Sequence, residues 1–259
     1  MNTRSSTART LARIVGLTTA AAAVWFGGTS LASTMAHQKV VSTLPLTAPI
    51  DRIDVPGLPG DLTIIGSDGP HRLLQTVHTA LTAPDTRYSI ADGLLVYHVD
   101  GCRWFDSRCG VDLTADVDPR SPVTASSTGG NLTATGLDGG LTLSSSAGDV
   151  TVRASSGKMN IESSAGDVRA IDIAPSSLVA HSSAGDVRVS LTRPPQLVSA
   201  DSSAGEVTVT LPRDETSYRV EAESSAGSTN VSVRTDPQAT RIIRVSSSAG
   251  DVTVRYADS

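Results

Sequence analysis

Apolar and polar positions alternate with period two through most of the second half of the chain, and the alternation keeps one frame around each copy of a Ser-Ser-Ala-Gly string. Two and four positions after the glycine stand Leu132/Ala134, Val150/Val152, Val168/Ala170, Val187/Val189, Val207/Val209 and Val252/Val254. Seven and five positions before it stand Val123/Ala125, Leu141/Leu143, Met159/Ile161, Leu178/Ala180, Val198/Ala200, Val220/Ala222 and Ile243/Val245. Polar residues such as Thr151, Arg169, Arg188, Thr208 and Thr253 fall between them. This is the signature of strands with one buried face. Each unit therefore predicts two short strands joined at a serine-glycine corner, where glycine permits φ > 0.

The corner glycines are Gly130, Gly148, Gly166, Gly185, Gly205, Gly227 and Gly250, spaced 18 to 23 residues apart. Such a period marks a solenoid, because one unit cannot bury its apolar faces except against its neighbours. The expectation is an all-β chain whose residues 123–259 wind into a flattened two-sheet parallel β-solenoid of about seven coils. After Gly227 the apolar pair is Val231/Val233, two positions late. A shift of two keeps the same face buried, so this reads as a longer corner.

Ile53, Val55, Gly60, Leu62 and Ile64 fit the same frame, whereas the frame is lost between Gly66 and Pro122. There Leu73–Leu81, Tyr88–Val99 and Val111–Val117 read as longer strands, with turns at Ser67-Asp68-Gly69-Pro70, Ala83-Pro84-Asp85 and Asp92-Gly93. Residues 50–122 are expected to form a first coil plus a β-hairpin cap that shields one edge of the stack.

Residues 14–36 are 23 positions without a charge, preceded by Arg4, Arg9 and Arg13, and the first acidic residue is Asp51. As a helix the run is about 35 Å long, enough to span a bilayer core. The positive-inside rule then gives a cytoplasmic tail at 1–13, a transmembrane signal-anchor helix at 14–36, a linker at 37–49 and an extracytoplasmic remainder. This would be a single-pass protein of the cell membrane. A cleaved signal peptide is the rival, since Ser30-Leu31-Ala32 and Thr34-Met35-Ala36 have the form of cleavage sites. Both readings export the repeats. Outside the cytoplasm Cys102 and Cys109, the two cysteines, are expected to form a structural disulfide.

The frame Ile50-Asp51-Arg52-Ile53-Asp54-Val55 … Gly60-Asp61-Leu62-Thr63-Ile64, a Cys-bearing insert, and the repeated S-S-A-G-D-V-x-V resemble the bacterial DUF4097 β-strand-repeat family, whose members carry an adhesin label. The likeness covers about residues 50–255. It implies a β-solenoid ectodomain on a bacterial surface, with no catalytic residues to transfer and, in some relatives, a link to envelope stress.

Composition narrows the function by exclusion. Net charge is −5 with no basic block, and aromatics are 3%, so neither nucleic-acid attraction nor a base-stacking platform is supported. An acid follows most corner glycines: Asp149, Asp167, Asp186, Glu206 and Asp251. Calcium is the functional reading of that column. The doubled glycine of calcium-binding rolls is missing, however, and Ser228 interrupts the run. The competing expectation is that each Asp bonds to the backbone of its own turn, with Arg153, Arg169 and Arg188 offsetting the charge. The histidines His37, His71, His78, His98 and His181 fall in no catalytic or metal motif. No catalytic residue, metal or cofactor is therefore expected. The sequence reads as a membrane-anchored surface-binding module for a glycan, peptide or protein. The alternative is a sensory or envelope-stress ectodomain acting through a membrane partner.

Overall fold

The computed structural model describes residues 38–46, 50–79, 82–102, 106 and 108–257. The expected tail and membrane helix at 1–36 lie outside them, and among the described residues no helix is long and apolar enough to cross a membrane. The alternating frame becomes strand throughout. In chain order these are β1 (Gln38–Pro45), β2 (Arg52–Leu58), β3 (Leu62–Gly66), β4 (Arg72–Thr79), β5 (Asp85–Ala91), β6 (Leu94–Asp100), β7 (Gly110–Val117), β8 (Val123–Ser127), β9 (Leu132–Thr135) and β10 (Leu141–Ser145). They continue as β11 (Val150–Arg153), β12 (Ser156–Ala165), β13 (Val168–Ala184), β14 (Val187–Leu191), β15 (Leu197–Ala204), β16 (Val207–Leu211), β17 (Arg219–Ser224), β18 (Thr229–Ser232), β19 (Ile242–Ala249) and β20 (Val252–Tyr256).

The strands form two facing sheets. In the first, β1, β4 and β7 pair antiparallel, and then β3, β9, β11, the first part of β13, β14, β16, β20 and β18 follow in parallel. In the second, β5 pairs antiparallel with β6, followed in parallel by β2, β8, β10, β12, the rest of β13, β15, β19 and β17. Reading across the sheets gives nine layers, β6/β7, β2/β3, β8/β9, β10/β11, β12/β13, β13/β14, β15/β16, β19/β20 and β17/β18. At the usual strand spacing the stack is about 40 Å tall. The aliphatic pairs of the repeat face inward as their period requires, and Val150, Val168, Val187, Val198, Val207 and Val252 are wholly buried.

Four details depart from the sequence reading. The frame is not lost between Gly66 and Pro122, because β6/β7 is a full layer with Leu95 beside Ile53, Leu113 beside Leu62 and Ala115 beside Ile64. Its corner is not Ser-Ser-Ala-Gly but a loop closed by the Cys102–Cys109 disulfide, so the repeat string does not mark it. Residues 38–45, expected to be linker, are β1, held by eight register partners along β4. After Gly227 there is no longer corner. Thr229 takes the place of Val252 and Val231 that of Val254, so Thr stands where other layers have an aliphatic residue. Finally, the last two layers are inverted, with β19/β20 lying between β15/β16 and β17/β18. Burial explains the inversion. Ile243, Val245, Val252 and Val254 gain a neighbour above and below, while the layer with Thr229 and the exposed β18 meets water.

The corner glycines are dictated by close approach. A Cβ on Gly185 would lie 2.3 Å from the carbonyl oxygen of Gly166, one on Gly205 2.2 Å from that of Gly185, and one on Gly250 2.2 Å from that of Gly205. The neighbouring backbone occupies the space a side chain would need. Gly185→Ala is therefore expected to cost at least about 2 kcal/mol by forcing two layers apart. Gly129→Ala, where nothing lies within 4 Å, should change stability by no more than about 0.5 kcal/mol. Denaturant titration of both variants checks this, and equal midpoints would refute the packing argument.

Candidate functional site

Each serine-glycine corner presents a serine hydroxyl, a glycine N–H and C=O, and the N–H of the next residue. Interior polar groups left unpaired are costly, so their partners decide what chemistry remains. The first serine of each motif points inward and donates to the glycine carbonyl of an adjacent layer. Ser145 donates to Gly130 (3.0 Å), Ser163 to Gly148 (2.9 Å), Ser182 to Gly166 (2.8 Å), Ser202 to Gly185 (2.8 Å) and Ser247 to Gly205 (2.9 Å). The N–H groups of Gly148, Gly166, Gly185, Gly205 and Gly250 donate to an alanine carbonyl on the other side, as Gly166 does to Ala184 and Gly185 to Ala204, both at 3.0 Å.

The acidic column completes this set. Asp149 accepts from the N–H of Asp167 (2.9 Å), Asp167 from Asp186 (2.8 Å), Asp186 from Glu206 (2.8 Å) and Asp251 from Ser228 (2.7 Å). The column extends past the acids seen in the sequence. Asn131 accepts from Asp149 (2.9 Å), Asp61 from Asn131 (2.8 Å) and Asp112 from Asp61 (3.1 Å). The signal was present, since Asp61 and Asn131 each follow a corner glycine. The carboxylates thus bond to the backbone of the neighbouring layer, not to their own turn. In the middle of the column the other oxygens meet arginine. Arg169 bridges Asp149 and Asp167, and Arg188 bonds Asp186 at 2.7 Å. The Asp167 N–H, followed by Arg169, holds the Asp149 carboxyl below the ordinary range, and the Ser228 N–H does the same for Asp251. Among the described residues no group of three or more His, Cys, Asp or Glu is placed to hold a metal ion.

The outer face of the first sheet stays open to a ligand. One side chain per layer forms a continuous column there: Thr114, Thr63, Thr133, Thr151, Arg169, Arg188, Thr208, Thr253 and Asn230. Successive hydroxyls and guanidiniums are about 4.8 Å apart, the repeat of the strands beneath.

On the second sheet His181 Nδ1 faces Asp201, and its Nε2 lies 3.3 Å from Ser183 Oγ. The connectivity is that of a hydrolase triad, but acyl transfer also needs free N–H donors for an oxyanion. At this corner the Gly185 N–H goes to Ala204 and the Asp186 N–H to Asp167, so the donors are spent. At the far end of the stack the sheets open into a cleft of about 450 Å³ lined by Tyr218, Arg219, Val220, Ala222, Val231, Val233, Thr235, Asp236 and Pro237. Burial pushes the Tyr218 hydroxyl up to about 12.

A family model described as Toastrack DUF4097 matches residues 17–255. Among solved structures the chain is similar to a candidate adhesin from Bacteroides fragilis NCTC 9343, at a TM-score of 0.52 and 16% identity, over 85% of this chain and 97% of that one. It is also similar to a candidate lipid-binding protein from Parabacteroides distasonis ATCC 8503, at a TM-score of 0.49 and 12% identity, again over 85% and 97%. The Bacteroides likeness shows a shared fold. No curated protein matches the chain.

The lowered pKa of Asp149 has a definite sign. Its contribution is present above the unfolded carboxylate value of about 3.9 and is lost as pH falls through the folded value. Asp149→Asn keeps an oxygen to accept the Asp167 N–H, as Asn131 does one layer away, but it cannot titrate. The variant should therefore lose less melting temperature than the parent between pH 5 and pH 2.5, about the range where carboxylates titrate. Superimposable acid limbs for the two proteins would contradict this assignment.

Proposed function

This chain belongs to the Toastrack DUF4097 family, and on that footing we propose that it is a membrane-anchored, extracytoplasmic module that binds a glycan, peptide or protein without catalysis. One observation carries the reading. The corners commit their polar groups between layers, which leaves a rigid ladder of threonine hydroxyls facing solvent, interrupted by the ion-paired Arg169 and Arg188. Hydroxyls both donate and accept. A ladder of fixed spacing suits an extended ligand that repeats or lies along the stack. The Cys102–Cys109 disulfide agrees with an oxidising compartment. The uncharged run at 14–36 behind three arginines supplies the anchor.

The cleft at the end of the stack favours a second reading, a sensory ectodomain that takes up a small ligand or peptide and acts through a membrane partner. Its lining mixes aliphatic side chains with Tyr218, Arg219 and Asp236.

The test uses the full chain in detergent on a glycan array and in pull-downs from envelope fractions. Thr151→Asp with Thr208→Asp should weaken capture at least about tenfold by placing charge on the ladder. Folding stability should hold within about 0.5 kcal/mol, since both side chains face outward. Capture that ignores these substitutions, or no ligand on any panel, would remove the surface-ladder reading. A Gln238→Cys variant should react with an impermeant maleimide on intact cells, and labelling that appears only after lysis would place the module inside.

A further inference from the structure

We propose that the winding β19–β20 is exchangeable between molecules, so that a second copy of this chain can seat its Ile242–Tyr256 in the slot between β15/β16 and β17/β18. From β10/β11 to β15/β16 each layer lies on its predecessor in the sequence. The next layer in space is not the next in sequence. β19 pairs with β15 on one side and β17 on the other, and β20 pairs likewise with β16 and β18. Neither β17 nor β18 has another strand partner among the described residues. Apart from its chain connections, the terminal layer is therefore joined to the stack through the inserted winding.

The slot is complementary to this winding on both sides. On one side Ser247 donates to the Gly205 carbonyl (2.9 Å) and the Gly205 N–H to the Ala249 carbonyl (3.0 Å). On the other, Ser224 donates to the Gly250 carbonyl and the Gly250 N–H to the Ala226 carbonyl, at 2.8 and 3.0 Å. None of these contacts depends on which molecule supplies the winding. The connection from β18 to β19 runs through residues 233–241, most of them exposed. Extended, such a segment reaches about 30 Å, several times the spacing between layers. The hinge is long enough to pass the winding to a neighbour.

Emptying the slot does not strand the terminal layer. Val198 and Val220 both pair with Ile243, Ala200 and Ala222 with Val245, and Val209 and Val231 with Val254. β17/β18 can therefore settle directly on β15/β16 in the same frame, in sequence order. The sequence supports two packings, and the inserted one wins by burying Ile243, Val245, Val252 and Val254 on both sides. A winding released in this way finds the same slot on another copy. The swapped form repeats the closed contacts and differs in the hinge, so concentration in a membrane plane favours it.

Two full-length variants test this, Asn230→Cys and Thr253→Cys, because these outward residues are register partners on β18 and β20. Differently tagged chains are mixed, held at mild denaturant to open the slot, returned to buffer and oxidised. A swapped contact holds the two thiols at high effective concentration, so this pair should give at least about tenfold more mixed disulfide dimer than Asn230→Cys with Thr151→Cys. Thr151 lies on the same sheet face in a distant layer. The double variant Asn230→Cys/Thr253→Cys, oxidised within one chain beforehand, should no longer co-purify with a differently tagged parent chain after the same cycle, a readout that needs no free thiol. Equal dimer yields in the two mixtures, or undiminished exchange by the oxidised double variant, would overturn the proposal.

Discussion

The structure depends on one contact, the approach of a glycine carbonyl in one layer to the place where the next layer's glycine would carry a side chain. At 2.1 to 2.4 Å from an ideal Cβ along the column, that carbonyl excludes every other residue type. With the corner this narrow, the serine hydroxyl, the glycine N–H and the acid carboxylate can each reach across to a neighbour. The aliphatic pairs meet in the middle because the corners set the two sheets face to face. Burial supplies most of the driving force. The corner decides that it is spent on a stack of windings and not on a sandwich of unrelated hairpins.

The same economy explains why the candidate site is a surface. A catalytic centre needs polar groups that are held yet uncommitted. Here the held groups are committed to adjacent layers, and even the arrangement of His181, Asp201 and Ser183 finds its neighbouring N–H donors in use. The side chains left over are repetitive, mostly threonines, one per layer on the first sheet. Repetition at fixed spacing serves recognition along a line better than chemistry at a point.

Much of this was legible in the residues. The inward valines, the polar residues between them and the seven corner glycines each follow from a period of two interrupted at regular intervals. The disulfide followed from two cysteines and the expectation of export. The β6/β7 layer was hidden because the frame had been tied to a corner motif that this layer lacks, although Leu95, Tyr97, Leu113 and Ala115 keep the period. The stacking order of the last two layers was hidden for the opposite reason. Identical corners make every order equivalent locally, and Thr229 in place of a valine was the one residue that marked the terminal layer. The partners of Asp149 and its counterparts could not be read either, because a carboxylate beside a tight turn can bond within it. Only the stack brings a neighbour's N–H nearer.

Because each layer from β8/β9 to β15/β16 presents the same hydrogen-bonding frame above and below, the molecule is built to a modular gauge. Duplicating one repeat of eighteen residues, such as that from Gly148 to Gly166, would lift everything beyond it by about 4.8 Å. No interface would have to be reinvented. Length in such a chain is a dial that gene duplication can turn freely, and the distance at which the far end stands from its base is set by counting.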